Sequence, residues 1–194
     1  MKLETLLRKG RRARVLGVDD APFKVGSRRD VLVVGAVYSG VAFEGLVSTK
    51  IRQDGRNATT RLVQMIAGSK FLRQLHLVML DGVTLGGFNV VDLPLLATEL
   101  KLPCASVMRR RPDLDAIEAA LQRLPGSAHR WGLIQRAGTL HRAGPLWFQV
   151  AGTSPEAAAR VISSSVQQGK YPECLRAAHL IGSGVVCGES GKRA

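Results

Sequence analysis

Three apolar segments rich in β-branched residues follow one another near the start of the chain. They cover residues 14–18, 30–38 and 43–51, and the connections between them are too short for a crossover helix. Strands joined by such short connections pair in antiparallel fashion. The sequence therefore predicts a three-stranded antiparallel meander, and this unit restricts the folds that are open to the rest of the chain.

Beyond residue 58 the hydrophobic pattern alternates between helical and extended segments. Leu62, Val63 and Ile66 share one face of a predicted helix over residues 58–72, and an apolar strand over residues 75–80 follows it. The pattern then predicts a helix over 88–100, a strand over 104–108, a helix over 114–124, short strands over 131–136, 138–141 and 146–150, and helices from 155 to about 168 and from 172 to about 186.

A meander followed by alternating strands and helices is typical of one fold class. It predicts an α/β protein whose mixed sheet combines the antiparallel meander with parallel strands and carries helices on both faces. No linker, repeat or low-complexity block interrupts the pattern, so we expect a single domain over residues 1–194.

Cations are in large excess in this sequence. The chain has 28 Lys and Arg against 15 Asp and Glu, a formal net charge of +13. Such an excess favours a polyanionic partner, because clustered cations release counterions from nucleic acid; a basic surface that is merely solvated is the alternative. The first residues lack a signal peptide's apolar core and no apolar run is long enough to span a bilayer, so we expect a cytoplasmic protein without membrane contact.

Two aspartates stand at the ends of apolar strand segments. Asp19 closes the first predicted strand and Asp81 closes the strand over residues 75–80. If these strands are neighbours, the two carboxylates meet at one edge of the sheet, where they favour a divalent cation such as Mg²⁺ or Mn²⁺. The alternative is that each aspartate only caps a turn, since Asp-Gly, as at residues 81 and 82, is a common turn dipeptide.

Two further segments suit a nucleic-acid partner. The glycine-rich residues 82–89 precede a helix, so their backbone N–H groups can approach a phosphate or a base, unless the segment is simply a flexible turn. Arg109, Arg110 and Arg111 follow a predicted strand and are placed to bind backbone phosphates, together with the basic residues at the start of the chain. A solvated basic loop is the alternative interpretation of the three arginines.

Three ordered motifs resemble a known family. They are GVDDAPF at residues 17–23, MLDGVTLGGFNVVDL at residues 79–93 and YPECLRAAHLIGSG at residues 171–184. Together they look like the archaeal endonuclease V-related family, some members of which are named endonuclease dU, and more distantly like endonuclease V itself. The resemblance covers nearly the whole chain. It implies a ribonuclease H-like fold and metal-dependent cleavage of a phosphodiester with Mg²⁺ or Mn²⁺.

The resemblance also implies roles for individual residues. Asp19 and Asp81 match the metal-binding aspartates, His179 the histidine of the last helix, and Arg176 the arginine three residues before it. Endonuclease V has a catalytic glutamate between the two aspartates, but no glutamate lies between residues 44 and 99 of this chain. We assign Asp54 as the third acid in its place. Without the resemblance, the alternative interpretation of His179 is a surface or core histidine of an amphipathic helix.

A base pocket is the last feature that the resemblance implies. Its candidate walls are Gly82, Gly86, Gly87 and Asn89 on one side, and Asp20 and Phe23 on the other, with Arg109 and Arg110 close by. Phe23 suits stacking on a base or wedging into a duplex, although a packing phenylalanine is the simpler interpretation.

The sequence-based hypothesis is thus an endonuclease that cleaves DNA near uracil or hypoxanthine in DNA repair. The alternatives are a nucleic-acid-binding protein of the same fold without catalysis and an RNA-directed nuclease.

Overall fold

A central mixed sheet organises the protein. The computed structural model describes residues 3–27 and 29–190, and within these residues seven strands form one sheet and two short strands form a separate hairpin. The strands are β1 Arg14–Asp20, β2 Asp30–Ser39, β3 Ala42–Arg52, β4 Leu77–Asp81, β5 Thr84–Leu85, β6 Asn89–Val90, β7 Cys104–Met108, β8 His141–Ala143 and β9 Leu146–Ala151. The helices are α1 Leu3–Arg8, α2 Ala58–Ala67, α3 Leu93–Leu100, α4 Leu114–Leu121, α5 Ser127–Arg136, α6 Pro155–Ser164 and α7 Glu173–Cys187.

The strand order is β3-β2-β1-β4-β7-β9-β8, and β5 pairs with β6 outside this sheet. Strands β1, β2 and β3 form the antiparallel meander that the sequence predicts. Strands β1, β4 and β7 run parallel to one another, and β9 closes the other side by pairing antiparallel with β7 and β8. The prediction of a mixed sheet is confirmed.

Alternate side chains of the sheet build two separate cores. Leu16 and Val18 point towards the face that α2, α3, α4 and α5 cover. Val15 and Met79 point towards the opposite face, which α1, α6 and the first half of α7 cover. Because successive residues of a strand face opposite sides, strands that are apolar at consecutive positions require helices on both faces, as the sequence predicts.

The contact between α7 and β1 depends on Gly17. A β-carbon at Gly17 would lie 2.4 Å from the backbone carbon of Cys174, so only glycine allows the helix to come this close. The helix then crosses β1 towards its carboxyl end, where Gly182 packs against Ala21. This close approach brings residues in the middle of α7 to the end of β1.

Two predicted elements are wrong, and the short strand predicted over residues 138–141 lies instead at His141–Ala143. Residues 131–136, predicted as a strand, belong to helix α5, because Arg130, Leu133 and Ile134 recur at helical spacing and are the residues it buries. The helix predicted from residue 88 begins at Leu93: Asp92 accepts a hydrogen bond from Leu95 N and caps it, and Pro94 is tolerated in the first turn. Residues 89 and 90 instead pair as β6 with β5.

The two ends of the sheet carry different groups. Asp19, Asp81 and Arg109 lie at or just beyond the carboxyl ends of the parallel strands. The basic segment after α1, with Arg11 and Arg12, lies at the other end, beside the turn at Gly40 that joins β2 to β3. Lys2, the first of the basic residues at the start of the chain, lies outside the described residues. Among the described helices, none has the length and apolar character needed to cross a bilayer.

Candidate active site

The register of two parallel strands brings the predicted aspartates together. Val18 of β1 pairs with Leu80 of β4, so Asp19 and Asp81 follow at the same level of neighbouring strands. Asp19 is only 6% exposed. Its Oδ1 accepts a hydrogen bond from the backbone N–H of Asp20 at 2.8 Å. The strand-end placement that the sequence predicts therefore produces a pair of largely buried carboxyl groups at one sheet edge.

The carboxyl groups at this edge are electrostatically strained. Burial raises the pKa of Asp19 to about 8, and the neighbouring charges of Asp81 and Asp20 add to the increase. Burial also raises the pKa values of Asp20 and Asp81. Arg109 opposes the shifts of Asp19 and Asp81, but it does not cancel them. Buried carboxylates that repel one another are stabilised by an added cation.

Helix α7 delivers His179 to this edge. His179 Nδ1 lies 2.9 Å from Asp19 Oδ2, and the His179 side chain keeps 30% of its exposure. An ionised Asp19 can only accept, so in that state Nδ1 carries the proton and Nε2 has a free lone pair. Such a histidine is held in one orientation by the carboxylate and can accept a proton at Nε2. The structure thus brings together Asp19, Asp81 and His179, as the motifs imply.

Tyr171 and Arg109 complete the carboxylate cluster from the other side. The Tyr171 hydroxyl lies 2.6 Å from Asp81 Oδ1 and 3.0 Å from the carbonyl oxygen of Val107, and the residue is buried. Burial and the charge of Asp81 raise the pKa of Tyr171, which keeps its hydroxyl protonated as a donor. The guanidinium of Arg109 lies over the Tyr171 ring, 4.1 Å from its centroid.

The glycine-rich segment is held by two of the predicted acids. Asp20 Oδ2 accepts from Gly86 N at 3.1 Å, and Asp54 Oδ1 accepts from Phe88 N at 2.8 Å. Gly87 has a φ of +87°, and a β-carbon there would lie 2.3 Å from Asp54 Oδ1, so the contact requires glycine. The Asp54 carboxylate therefore forms its hydrogen bond with the β5–β6 hairpin, and not with Asp19 or Asp81.

Asn89 and Arg130 fix this hairpin from within. The buried Asn89 side chain accepts from Ala58 N at 2.9 Å and donates to Arg52 O and Asn57 Oδ1. Arg130 of α5 is also buried and donates to the carbonyl oxygens of Phe88, Pro125, Asp54 and Gly55. The Asn89 side-chain amide is thus hydrogen-bonded to partners within the fold.

A largely apolar cavity of about 590 Å³ opens directly after Asp81. Gly82, Phe88 and Trp131 contribute to its wall, and Arg110 and Gln149 supply polar groups. Of the residues predicted to wall or border the base pocket, Gly82 and Arg110 line this cavity. Its lining residues do not include the other predicted wall residues, Asp20, Phe23, Gly86, Gly87 and Asn89. Phe23 is only partly buried and packs against the core on this face of the sheet.

The arginines predicted to bind phosphates contact different parts of the fold. The arginine run separates: Arg109 lies on Tyr171, Arg110 lines the cavity, and Arg111 lies 5.7 Å from the ring centroid of Trp147. Arg176 donates from Nε and Nη2 to Glu173 Oε2, at 2.9 and 2.7 Å. Its guanidinium is therefore engaged three residues back along α7.

Comparison with known sequences decides the family. The sequence model of the endonuclease dU family matches residues 11–186. The chain belongs to the endonuclease dU family. A UPF0215 protein of Methanothermobacter thermautotrophicus is 46% identical over 182 residues, which are 91% of this chain and 89% of that protein.

Solved structures agree with this family and its fold. A protein of unknown function from Archaeoglobus fulgidus is 38% identical, covers 90% of this chain and 98% of its own, and superposes with a TM-score of 0.85. Endonuclease V of Ciona intestinalis, crystallised with a 24mer DNA containing an inosine, is 14% identical, with coverages of 87% and 84% and a TM-score of 0.55. The predicted ribonuclease H-like fold is confirmed, and the family is one of nucleases.

The donor set of this endonuclease dU family member suits a hard divalent cation. Asp19 and Asp81 offer carboxylate oxygens, and their mutual repulsion favours a cation between them. Over residues 3–27 and 29–190, no group of three or more His, Cys, Asp or Glu side chains could hold a metal ion. Mg²⁺ accepts such a site, because one or two carboxylates with water and phosphate oxygens satisfy its coordination.

Tyr171 and Arg130 were not predicted from the sequence. Tyr171 stands directly before the PECLRAAH motif, where a polar aromatic residue next to an apolar helix indicates a buried hydroxyl with a partner. Arg130 shares helical spacing with Leu133 and Ile134, which indicates a buried cation once the segment is read as a helix.

Proposed function

We propose that this protein is a metal-dependent endonuclease that cleaves DNA beside a deaminated base, uracil or hypoxanthine, in DNA repair. One observation carries the proposal: Asp19 and Asp81 end neighbouring parallel strands, and His179 is hydrogen-bonded to Asp19. The endonuclease dU family and the inosine-containing DNA bound to the Ciona endonuclease V support the substrate class.

The chain's own residues divide the work of such a reaction. Asp19 and Asp81 would hold a Mg²⁺ or Mn²⁺ ion, and Asp54 stays the proposed third acid. When bound, the ion activates water and neutralises charge on the phosphate. His179, oriented by Asp19, takes up a proton at Nε2 or returns one to the leaving oxygen. Arg109, held on the Tyr171 ring, places a fixed positive charge beside the same carboxylates.

The cavity beside Gly82 supports recognition of a single base. At about 590 Å³ it is within the usual range for small-ligand sites, and its apolar wall suits a base removed from the stack. Arg110 and Gln149 provide hydrogen-bonding groups there. Asp20 accepts a hydrogen bond from Gly86 N, which fixes the turn of the β5–β6 hairpin at the rim. Arg176, bound to Glu173, is proposed to reach the backbone through its remaining N–H groups.

A nucleic-acid-binding protein without catalysis is the second candidate. The absence of a glutamate between residues 44 and 99 and the bond from Phe88 N to Asp54 Oδ1 favour it, because the third acid of the nuclease site is then missing or occupied.

Nicking of end-labelled duplexes separates the two candidates. Duplexes carry uracil, hypoxanthine or no lesion, each with Mg²⁺, Mn²⁺ or chelator, and an RNA strand with the same lesion tests the RNA-directed alternative. We expect metal-dependent nicking of a lesion-bearing DNA strand. Asp81→Asn should abolish it, and His179→Ala should slow it by about 10²–10⁴-fold, with the melting temperature preserved. Binding without nicking under every condition would establish the second candidate.

A further inference from the structure

Three exposed valines form a patch beside the carboxylate cluster. Val25 is 82% exposed, Val185 67% and Val186 51%, and together we name them the valine patch. All three line one open hollow of about 940 Å³ together with Phe23. Exposed apolar groups gathered at one place mark an interaction surface more often than valines scattered singly do.

The valine patch lies at the carboxylate end of the sheet. Val25 is in the connection that follows Asp20, and Val186 is on α7, seven residues after His179. Seven residues of helix cover about 10 Å, so the patch begins within about two turns of the histidine that contacts Asp19. Gly182 packs on Ala21 and joins the helix to this connection.

Cations surround the valine patch. Lys24, Arg29 and Lys50 line the same hollow, where Asp30 is the acidic residue in the wall. No ion pair among the described residues involves any of these three cations. An apolar centre with a cationic border matches a ligand that presents flat apolar groups between phosphates, which is the chemistry of a nucleic-acid strand with unstacked bases.

We propose that the valine patch contacts unstacked bases of DNA next to the cleaved phosphodiester, while Lys24, Arg29 and Lys50 contact the adjoining phosphates. The proposal rests on the proposed nuclease function and adds a requirement: the DNA is opened locally beyond the single base in the cavity. Valine cannot hydrogen-bond a phosphate, and desolvating a phosphate against it is costly, so the patch selects base faces. A second copy would meet this patch with its own three cations, which charge repulsion opposes.

Fluorescence anisotropy in chelator tests this surface without catalysis. One labelled duplex is fully paired, and a second of equal length has a central bubble of three mismatches. We expect wild type to bind the bubble more tightly, and Val25→Ser with Val186→Ser to weaken bubble binding about tenfold while changing paired-duplex binding less than about twofold. Val41→Ser is the matched control, since Val41 is 60% exposed at the opposite end of the sheet.

Each result is decisive for the proposal. Equal bubble affinity of the double variant, Val41→Ser and wild type would overturn it, as would a wild type without bubble preference. A dimer that the double variant dissociates in sedimentation would assign the patch to a second copy instead. Wild type that prefers the bubble through the valines but never nicks DNA would refute the nuclease function and leave the patch standing. Nicking and bubble binding that do not depend on the valines would refute the valine patch and leave the nuclease function standing.

Discussion

Asp19 combines burial, a like-charged neighbour and a hydrogen-bonded histidine in one side chain. Its raised pKa means that the folded protein binds a proton that the unfolded chain has already released near neutral pH. The stability contributed by this proton is fully present below the ordinary pKa of 3.8 and is lost as pH rises through about 8. Ionised Asp19 therefore destabilises the folded protein once the pH approaches or exceeds about 8, unless a cation offsets its charge.

The first prediction concerns this destabilisation. In chelator at pH 8, Asp19→Asn should raise the melting temperature by about 3 °C or more and flatten its decrease between pH 4 and 8. Mg²⁺ should stabilise wild type more at pH 8 than at pH 6 and leave Asp19→Asn little changed. Thermal unfolding by circular dichroism measures both effects. Glu118→Gln, on the exposed side of α4, is the control. A stabilisation of the same size in that variant would contradict the electrostatic explanation.

The second prediction concerns Tyr171 as a positioning residue for Asp81. Tyr171→Phe keeps the ring that carries Arg109 and removes the hydroxyl that bonds Asp81. Because the partners that orient metal ligands set metal affinity, we expect Mn²⁺ to bind about tenfold more weakly, measured by calorimetry. Tyr38→Phe, on β2, removes a hydroxyl away from the cluster and should leave Mn²⁺ affinity unchanged. An equal loss in both variants would show a general effect on the fold.

At the scale of elements, the β5–β6 hairpin is held in place by side-chain hydrogen bonds from neighbouring elements. Asp20 and Asp54 hold it from the β1 and β3 ends, and Arg130 binds it to α5. Arg130 is buried and donates to the backbone carbonyls of four residues. Removing it leaves buried acceptors without donors, which costs more than the average hydrogen bond contributes.

The third prediction follows from this clamp. Arg130→Met should lower the free energy of unfolding by about 3 kcal/mol or more, measured by urea denaturation. Arg136→Met, in the same helix, removes an exposed guanidinium that is paired with Asp92 and should cost less than about 1 kcal/mol. Comparable losses in the two variants would mean that the helix, and not the clamp, carries the effect.

The sequence predicted some of these elements well and others badly, for physical reasons. Strands β1 to β4 and helix α7 were predictable because apolar periodicity and strand-end aspartates are local signals. Helix α5 was not, because its buried positions include an arginine that only tertiary contacts make tolerable. Likewise, the link from Tyr171 to Asp81 spans ninety residues and depends on how α7 crosses the sheet, which no local pattern encodes.

For the whole molecule, the net charge of +13 includes basic groups at two ends of the sheet. Arg110 and Arg111 follow β7 at the end that holds the carboxylates, whereas Arg11 and Arg12 lie beside the Gly40 turn at the other end. The length of β1 separates the two groups. In the proposed nuclease, a nucleic acid positioned for cleavage at Asp19 and Asp81 would meet the first pair, and we expect the second pair to contribute only to the long-range field.

The last prediction uses this separation. Each phosphate contact adds about 0.9 to the slope of log affinity against log salt, because binding releases condensed counterions. Arg110→Ala with Arg111→Ala should therefore lower the slope for a duplex by up to about 1.8. Arg11→Ala with Arg12→Ala removes the same net charge and should change the slope by less than about 0.5, since these residues lie at the end of the sheet opposite to Asp19 and Asp81. Affinities in chelator between 50 and 300 mM salt, by anisotropy, measure both slopes. Equal decreases would mean that DNA wraps along the whole sheet, and the N-terminal cations would then belong to the binding surface after all.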